Sequence, residues 1–313
     1  MKHLKPLFLM LLALQLQAQE GTTVTSDGQT LAYTWLQAPA GGPTAVLIIA
    51  GSGPTDRNGN NPMAGANNSL KQLAEGLAAR GISSLRFDKR GIGQSNKPAL
   101  NEAAMRFDLM IADAAHLVQW IKNQPGIQQV VVMGHSEGSL VAINAALFSE
   151  VAGVVSLAGA ADPADVILRK QLSNLQEPLK TQAMHALDTL AAGKTLKNYP
   201  VFLSSLFRPS VQPYLISWMA HDPCKDAARL TVPALIIGAG RDLQISADDA
   251  VKLGQCAPMA AVKTYPELNH LLKPVPDNRE ANLASYGSET PPVDAALIQD
   301  CAEFVLQLAP TKK

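Results

Sequence analysis

Charge is scarce and balanced in this chain: 26 Lys and Arg stand against 26 Asp and Glu among 313 residues, for a formal net charge of +0. No basic field is available to hold a nucleic acid or an anionic membrane surface, so a small neutral molecule is the better-suited partner. Cysteine is limited to Cys224, Cys256 and Cys301, too few for a disulfide-built scaffold. Metal-ligand spacings of His, Cys, Asp and Glu are missing as well, so neither a metal nor an organic cofactor is expected. Internal repeats and low-complexity segments are also lacking. The apolar run at residues 7–16 is shorter than the roughly 20 residues a bilayer-spanning helix needs, so stable membrane insertion is not expected. What remains is a chain 47% hydrophobic and 17% charged, enough apolar material for one large domain or for a domain carrying an insertion.

The start of the chain reads as a targeting segment. Lys2, His3 and Lys5 precede the apolar run, and the small residue Ala18 follows it. That order of charge, apolar core and small residue is a secretory signal peptide over residues 1–18, cleaved after Ala18, and it places the mature protein outside the cytoplasm, secreted or periplasmic. No Cys follows the run, so a lipid anchor is not supported. In an oxidising compartment three thiols allow one internal pair. Cys224 with Cys256 is the expected pair, since each sits shortly before an expected strand on one edge of the sheet; three unpaired thiols are the alternative.

Beyond the signal, residues 22–26 and 29–37 flank Asp27-Gly28, a hairpin turn, and predict an antiparallel start. Strands then alternate with helices. Strands are expected at 44–50, 83–87, 129–133, 153–157, 234–237 and 261–265, the earlier ones as near-continuous apolar runs, the signature of a parallel sheet covered on both faces. Helices are expected near 69–80, over 108–122 with Asp108 as N-cap, directly after residue 138, and over 293–308. Between 162 and 228 the strand rhythm is lost. Leu168, Leu172, Leu175 and Leu179 keep helical spacing, and Pro178, Gly193, Pro200, Pro209 and Pro213 interrupt it, which predicts several short helices inserted into the sheet domain. The domain reading is a core of residues 19–161 and 229–313 with this insertion as a cap. Among its apolar residues, Leu168, Leu172, Met184, Leu187, Phe202, Leu206, Phe207 and Trp218 are candidates to line a substrate pocket, although most are needed to hold the cap together.

The stretch from Val130 to Leu140, VVVMGHSEGSL, organises the rest. A β-branched run stops at Gly134-His135-Ser136-Glu137-Gly138 and a helix-compatible segment follows at once. A bare G-x-S-x-G is a weak signal; set between an expected strand and an expected helix it marks a sharp turn that presents a nucleophilic serine, Ser136. A serine hydroxyl needs a His to take its proton and an acid to hold that His. The carboxyl ends of the next strands offer Asp242 and His270, in the order Ser136, Asp242, His270. His3, His116, His135, His185 and His221 fall in the signal, a helix, the turn itself or the insertion. Asp248 and Asp249 suit the first turn of a helix better than a triad. For the oxyanion, one donor is expected from the backbone N–H of Glu137 and the other from the loop at residues 50–54, through the N–H of Ser52. That Gly-rich loop has neither the dinucleotide spacing nor the Lys-Ser/Thr ending of a phosphate cradle.

These motifs together resemble the α/β-hydrolase superfamily, and more narrowly the exported carboxylesterases and serine-aminopeptidase-like hydrolases with a helical cap. The carriers are IIAGSGPTDRNGN, RFDKRGIGQS, GHSEG, GAGRDLQI and YPELNH, and the likeness covers nearly all of the chain after the signal. It implies a mostly parallel central sheet with helices on both faces, a small-molecule ester substrate of small to medium acyl chain, and catalysis by a Ser-His-Asp triad. An amide, a peptide or an acyl acceptor other than water is the alternative. A catalytically silent fold used as a binding module is a further one, against which an ordered Ser, Asp and His argue. The chain departs from the family at the oxyanion loop, where a His-Gly pair is common and Ala50-Gly51 stands here. An ion pair between Asp56 and Arg57 is expected to order that loop.

Overall fold

The computed structural model describes residues 17–39, 41–95 and 101–308. The body of the expected signal, residues 1–16, lies outside the described residues. In chain order the elements of the first half are β1 (Gln17–Val24), β2 (Thr30–Gln37), β3 (Thr44–Ile49), α1 (Ser69–Ala78), β4 (Ser83–Phe87), α2 (Phe107–Lys122), β5 (Gln129–His135), α3 (Glu137–Phe148) and β6 (Gly153–Leu157). Five helices follow without a strand: α4 (Ala164–Leu172), α5 (Leu179–Ala191), α6 (Ser204–Phe207), α7 (Gln212–Met219) and α8 (Pro223–Ala227). The sheet resumes with β7 (Ala234–Ala239), α9 (Ala247–Cys256) and β8 (Ala260–Tyr265), and the chain closes with α10 (Arg279–Ala284) and α11 (Ala295–Gln307).

The sheet has eight strands in the order β1-β2-β4-β3-β5-β6-β7-β8. The pairs β1·β2 and β2·β4 are antiparallel and every pair from β4 to β8 is parallel. Alternation along each central strand feeds two cores. Ala45, Leu47 and Ile49 of β3 and Val130 and Val132 of β5 pack under α2, α3 and α9 on one face. Val46, Ile48, Val131 and Met133 pack under α1 and α11 on the other. A strand buried on both sides cannot alternate apolar with polar, and this is why the central strands read as unbroken apolar runs.

The expected hairpin forms, with Gly28 at φ +83° in its turn and the N–H of Thr25 donating to the carbonyl of Gln29 at 2.9 Å. Its first strand starts earlier than the expected 22–26, at Gln17. As an edge strand with its polar residues exposed it carries little apolar pattern to read. Gln17 and Ala18, the last residues of the expected signal, are its first two rungs, opposite Gln37 and Leu36. Asp108 is not the N-cap of α2 as expected but its second residue, and Arg106 precedes the helix. The reason lies in the cap: the Ser217 hydroxyl accepts from the N–H of Phe107 at 2.7 Å, filling the capping role from another element.

The insertion folds as a small helical layer with a core of its own, built from Leu168, Leu187, Leu190, Phe207 and Leu215. A disulfide joins Cys224 in α8 to Cys256 at the end of α9, and Cys301 is free and buried in α11. The expected pair therefore forms, and it ties the end of the cap to the sheet domain.

Candidate active site

Ser136 sits between β5 and α3 at φ 57°, ψ −122°, a backbone conformation that a side chain bearing Cβ adopts only under constraint. The constraint is visible at the flanking glycines. A Cβ on Gly134 would lie 1.9 Å from the carbonyl oxygen of Gly138, and a Cβ on Gly138 would lie 2.5 Å from that of Ile49. Both positions of the G-x-S-x-G turn are thus closed to any larger residue. The N–H of Ser136 donates to the carbonyl of Leu157 at the end of β6, 2.8 Å away, which fixes the turn to the neighbouring strand.

Asp242 and His270 meet at the ends of the next two strands. His270 Nδ1 lies 2.6 Å from Asp242 Oδ2, with the side chains 5% and 1% exposed. The second oxygen of Asp242 accepts from the N–H groups of Gln244 and Ile245 at 2.7 and 3.0 Å. A carboxylate held on both oxygens cannot rotate away, so it orients the imidazole. The loop carrying His270 is fixed by buried Asn269, whose Oδ1 accepts from the N–H groups of Leu271 and Lys273 and whose Nδ2 donates to Asn282 and Ser285. Asp248 and Asp249 lie in the first turn of α9 behind the Ser246 cap, and Asp249 accepts from the N–H of Ala161. Among the described residues no hydrogen bond joins Ser136 Oγ to His270.

Sequence reading gave His135 no role, yet it links the parts of the site. Its Nε2 lies 2.7 Å from the carbonyl oxygen of His270 and the two rings are 4.8 Å apart. Burial, and after it the neighbouring His270, push its pKa down to about 3. The ring is therefore neutral and Nε2, bonded to a carbonyl, carries its proton. It buttresses the backbone of His270 from the residue beside Ser136. Nothing in the local pattern signals this, because the contact spans |i−j| = 135 in sequence.

The loop after β3 closes over the turn. A Cβ on Gly51 would meet Ser136 Cβ at 3.0 Å, so glycine allows the backbone to approach Ser136. Ser52, Ser136 and Glu137 all line one cavity of about 870 Å³. The N–H of Glu137, the first residue of α3, belongs to the helix end that has no intrahelical acceptor. The expected Asp56–Arg57 pair is not found. Buried Arg57 instead bonds Asp88 at 2.8 Å and Glu20 at 2.6 Å, while Asp56 Oδ1 accepts from the N–H groups of Asn58 and Asn60. Asp88 lies behind the loop and its carboxylate also takes the N–H of Arg57, so the guanidinium finds its partner across the fold and not beside it in sequence. Lys89, missed by sequence reading, donates from Nζ to the carbonyls of Gly51 and Gly53.

The far wall of the cavity is the cap. Ile167, Leu168, Leu206, Leu215 and Trp218 line it, facing Met105, Met110, Leu140 and Ile245 of the sheet domain. Three of the pocket candidates thus stand where expected: Leu168, Leu206 and Trp218. Phe207 is fully buried in the core of the cap, as is Leu187, with Leu172 and Met184 packed against that core. Phe202 is 81% exposed. The insertion needs these apolar groups for its own cohesion, and among them only those facing the sheet domain reach the cavity.

A family described as serine aminopeptidase, S33, matches residues 63–273, a span that contains Ser136, Asp242 and His270. The curated protein esterase EstD of Thermotoga maritima is 30% identical over 231 residues, 73% of this chain and 54% of that protein; the chain thus spans about half the length of this relative. Among solved structures, the Pyrococcus furiosus esterase Pf2001 aligns over 94% of both chains with a TM-score of 0.60 at 16% identity. Est1E of Butyrivibrio proteoclasticus, solved with ferulic acid bound, aligns over 91% of this chain and 98% of its own with a TM-score of 0.60 at 17% identity. At such identities the solved structures speak to the fold, and they agree with the eight-stranded, mostly parallel sheet. With two thirds of its length matched by the family, the chain belongs to the serine aminopeptidase S33 family of α/β hydrolases.

Proposed function

We propose that the protein is a serine hydrolase that cleaves carboxylic esters of small to medium acyl chain through an acyl-enzyme. The observation that carries this reading is the 2.6 Å contact of His270 with Asp242 in a structure that also puts Ser136 on a strained turn at the wall of a large, mainly apolar cavity. Ser136 attacks the ester carbonyl while His270 takes its proton; Asp242 holds His270 in the reactive tautomer and stabilises the imidazolium that forms. The N–H groups of Ser52 and Glu137 receive the developing oxyanion. His270 then returns the proton to the leaving alcohol, and water, activated by the same imidazole, releases the acid and frees Ser136. Both the esterase name of the Thermotoga relative and the cavity's apolar wall support an ester with a hydrocarbon acyl group.

The mature enzyme acts outside the cytoplasm. The charge, apolar run and Ala18 at the start of the chain support export, and the Cys224–Cys256 disulfide suits an oxidising compartment. The test of the catalytic reading is to label the purified protein with a fluorophosphonate and then assay it on esters and aminoacyl amides of increasing chain length. Label on Ser136 with ester turnover far above amide turnover is expected; label elsewhere, or amide turnover in excess, would replace the reading.

A further inference from the structure

Among the described residues, Lys89 is the one buried cation at the cavity whose bonds go to backbone carbonyls of the loop facing the proposed nucleophile. It follows β4 in the turn RFDKRG, is 8% exposed, and donates to the carbonyl of Gly51 and, at 3.1 Å, to that of Gly53. These carbonyls flank Ser52. The third carbonyl of the segment, that of Ser52, accepts from the Thr55 hydroxyl at 2.8 Å. A trans peptide is planar, with its C=O and N–H pointing in opposite directions. An ammonium that grips the Gly51 carbonyl therefore turns the Ser52 N–H away from itself, and Ser52 lines the cavity beside Ser136. The grip on Gly53, a residue at φ +66°, holds the other side of the same turn.

A buried ammonium needs a counter-charge; the nearest candidate is Glu137, which shares a void with Lys89 without an ion-pair contact, and whose own pKa burial pushes up while Lys89 opposes this. Lys89, Glu137 and Tyr214 meet around a void of about 10 Å³, and the Tyr214 hydroxyl, from the cap, donates to the Glu137 carboxylate. Burial pushes the Lys89 pKa down and the nearby Glu137 carboxylate opposes this. One ammonium thus sits between the loop bearing Ser52 and the residue bearing the second expected donor, Glu137.

We propose that Lys89 is the positioning residue of the oxyanion hole, aiming the Ser52 N–H by holding the carbonyls on both sides of it. This rests on the proposed hydrolase reading. Lys89 touches neither nucleophile nor base, so its effect is expected in the stabilisation of the tetrahedral state and not in the binding of the ester. Loss of one oxyanion donor costs about a hundredfold to a thousandfold; a donor that is misaimed and not lost is expected to cost about tenfold to a hundredfold.

The test is Lys89→Met, which keeps the length of the side chain and removes the ammonium. Its kcat on a short ester is expected to fall about tenfold to a hundredfold with KM changed less than about threefold, and its affinity for an alkyl boronic acid, which forms a tetrahedral adduct with a serine hydroxyl, is expected to fall by a similar factor. If Lys89→Met does not fold, Lys89→Gln, whose amide can donate to one of the two carbonyls, is measured in its place and the same pattern is expected at smaller size. A lowered Tm with kcat and boronic acid affinity unchanged would overturn the proposal, as would a rise in KM alone. Ser136→Ala, measured in parallel, separates the two readings: turnover in Ser136→Ala that falls less than about a thousandfold condemns the nucleophile assignment, whatever Lys89→Met does.

Discussion

At the scale of single residues, the proposed site divides its labour between groups expected to react and groups that hold them. Ser136→Ala is expected to fold and to lose at least about a thousandfold in turnover, leaving the residual rate that binding and the oxyanion donors supply. Fluorophosphonate labelling and steady-state assay of the variant check this, and covalent label retained without Ser136 contradicts it. Asp242→Asn is expected to keep the fold and cost about ten thousandfold, because an amide presents the imidazole with the wrong tautomer. If Asp249→Asn proves the crippling change instead, the acid is elsewhere. The three triad candidates were legible from the sequence because each stands at the end of an expected strand in a fixed order. His135 and Lys89 were not, since their significance lies in contacts with the His270 carbonyl and with the Gly51 and Gly53 carbonyls. Such contacts are long-range, and they are made to backbone atoms that every sequence shares.

At the scale of elements, the central strands and the helices over them were readable because both faces of the sheet are buried, which writes an apolar run into each strand. The edges were not: β1 is mostly exposed and so lacks a pattern, and the start of α2 is capped from α7. The cap was legible as helical, but which of its faces meets the sheet domain was not. That face can be tested by two aromatic residues of opposite fate. Trp218 lines the cavity, so Trp218→Ala is expected to change relative rates across ester lengths, each methylene in an apolar pocket being worth about 1 to 3 kcal/mol. Phe207 is fully buried inside the cap, so Phe207→Ala is expected to cost about 3 to 5 kcal/mol of stability and leave relative rates alone. Rates on an ester series with thermal melts check both, and reversed outcomes would mean the cap is docked by another face.

The junction of cap and core also carries a titratable contact. His221 lies 3.5 Å from Asp226 of α8 and 3.3 Å from Asp108 of α2, with its ring 5.0 Å from that of Phe107. The bond to Asp226 raises its pKa above the ordinary 6.5; burial opposes this, and Asp108 adds to it. A folded pKa above the unfolded one means a stabilising contribution that is complete below about 6.5 and is lost as pH rises through the higher folded value. The Tm difference between the wild type and His221→Asn is therefore expected to be largest on the acid side and to shrink above neutrality. Melts across this range check it, and a difference independent of pH would show that the ring acts through packing alone.

For the whole molecule, the connection between the two layers has one covalent tie. The chain leaves the sheet after β6 and returns at β7, and the Cys224–Cys256 disulfide closes a loop of sequence separation 32 between α8 and α9. In the chain-entropy account such a loop contributes about 3 to 4 kcal/mol by restricting the unfolded chain, which for a domain of this size corresponds to roughly 5 to 7 °C in Tm. Cys256→Ser is expected to lower Tm by about that amount. Because the tie ends next to α7, which carries Tyr214 and Trp218 into the cavity wall, the loss should also loosen the cap, raising KM for longer esters more than for acetyl esters. Reductant applied to the wild type is expected to reproduce both effects, and applied to Cys256→Ser to produce neither, since Cys301 is buried and unpaired. Equal Tm for the oxidised and reduced wild type would show that packing between cap and core, without the covalent tie, sets the position of the cavity wall.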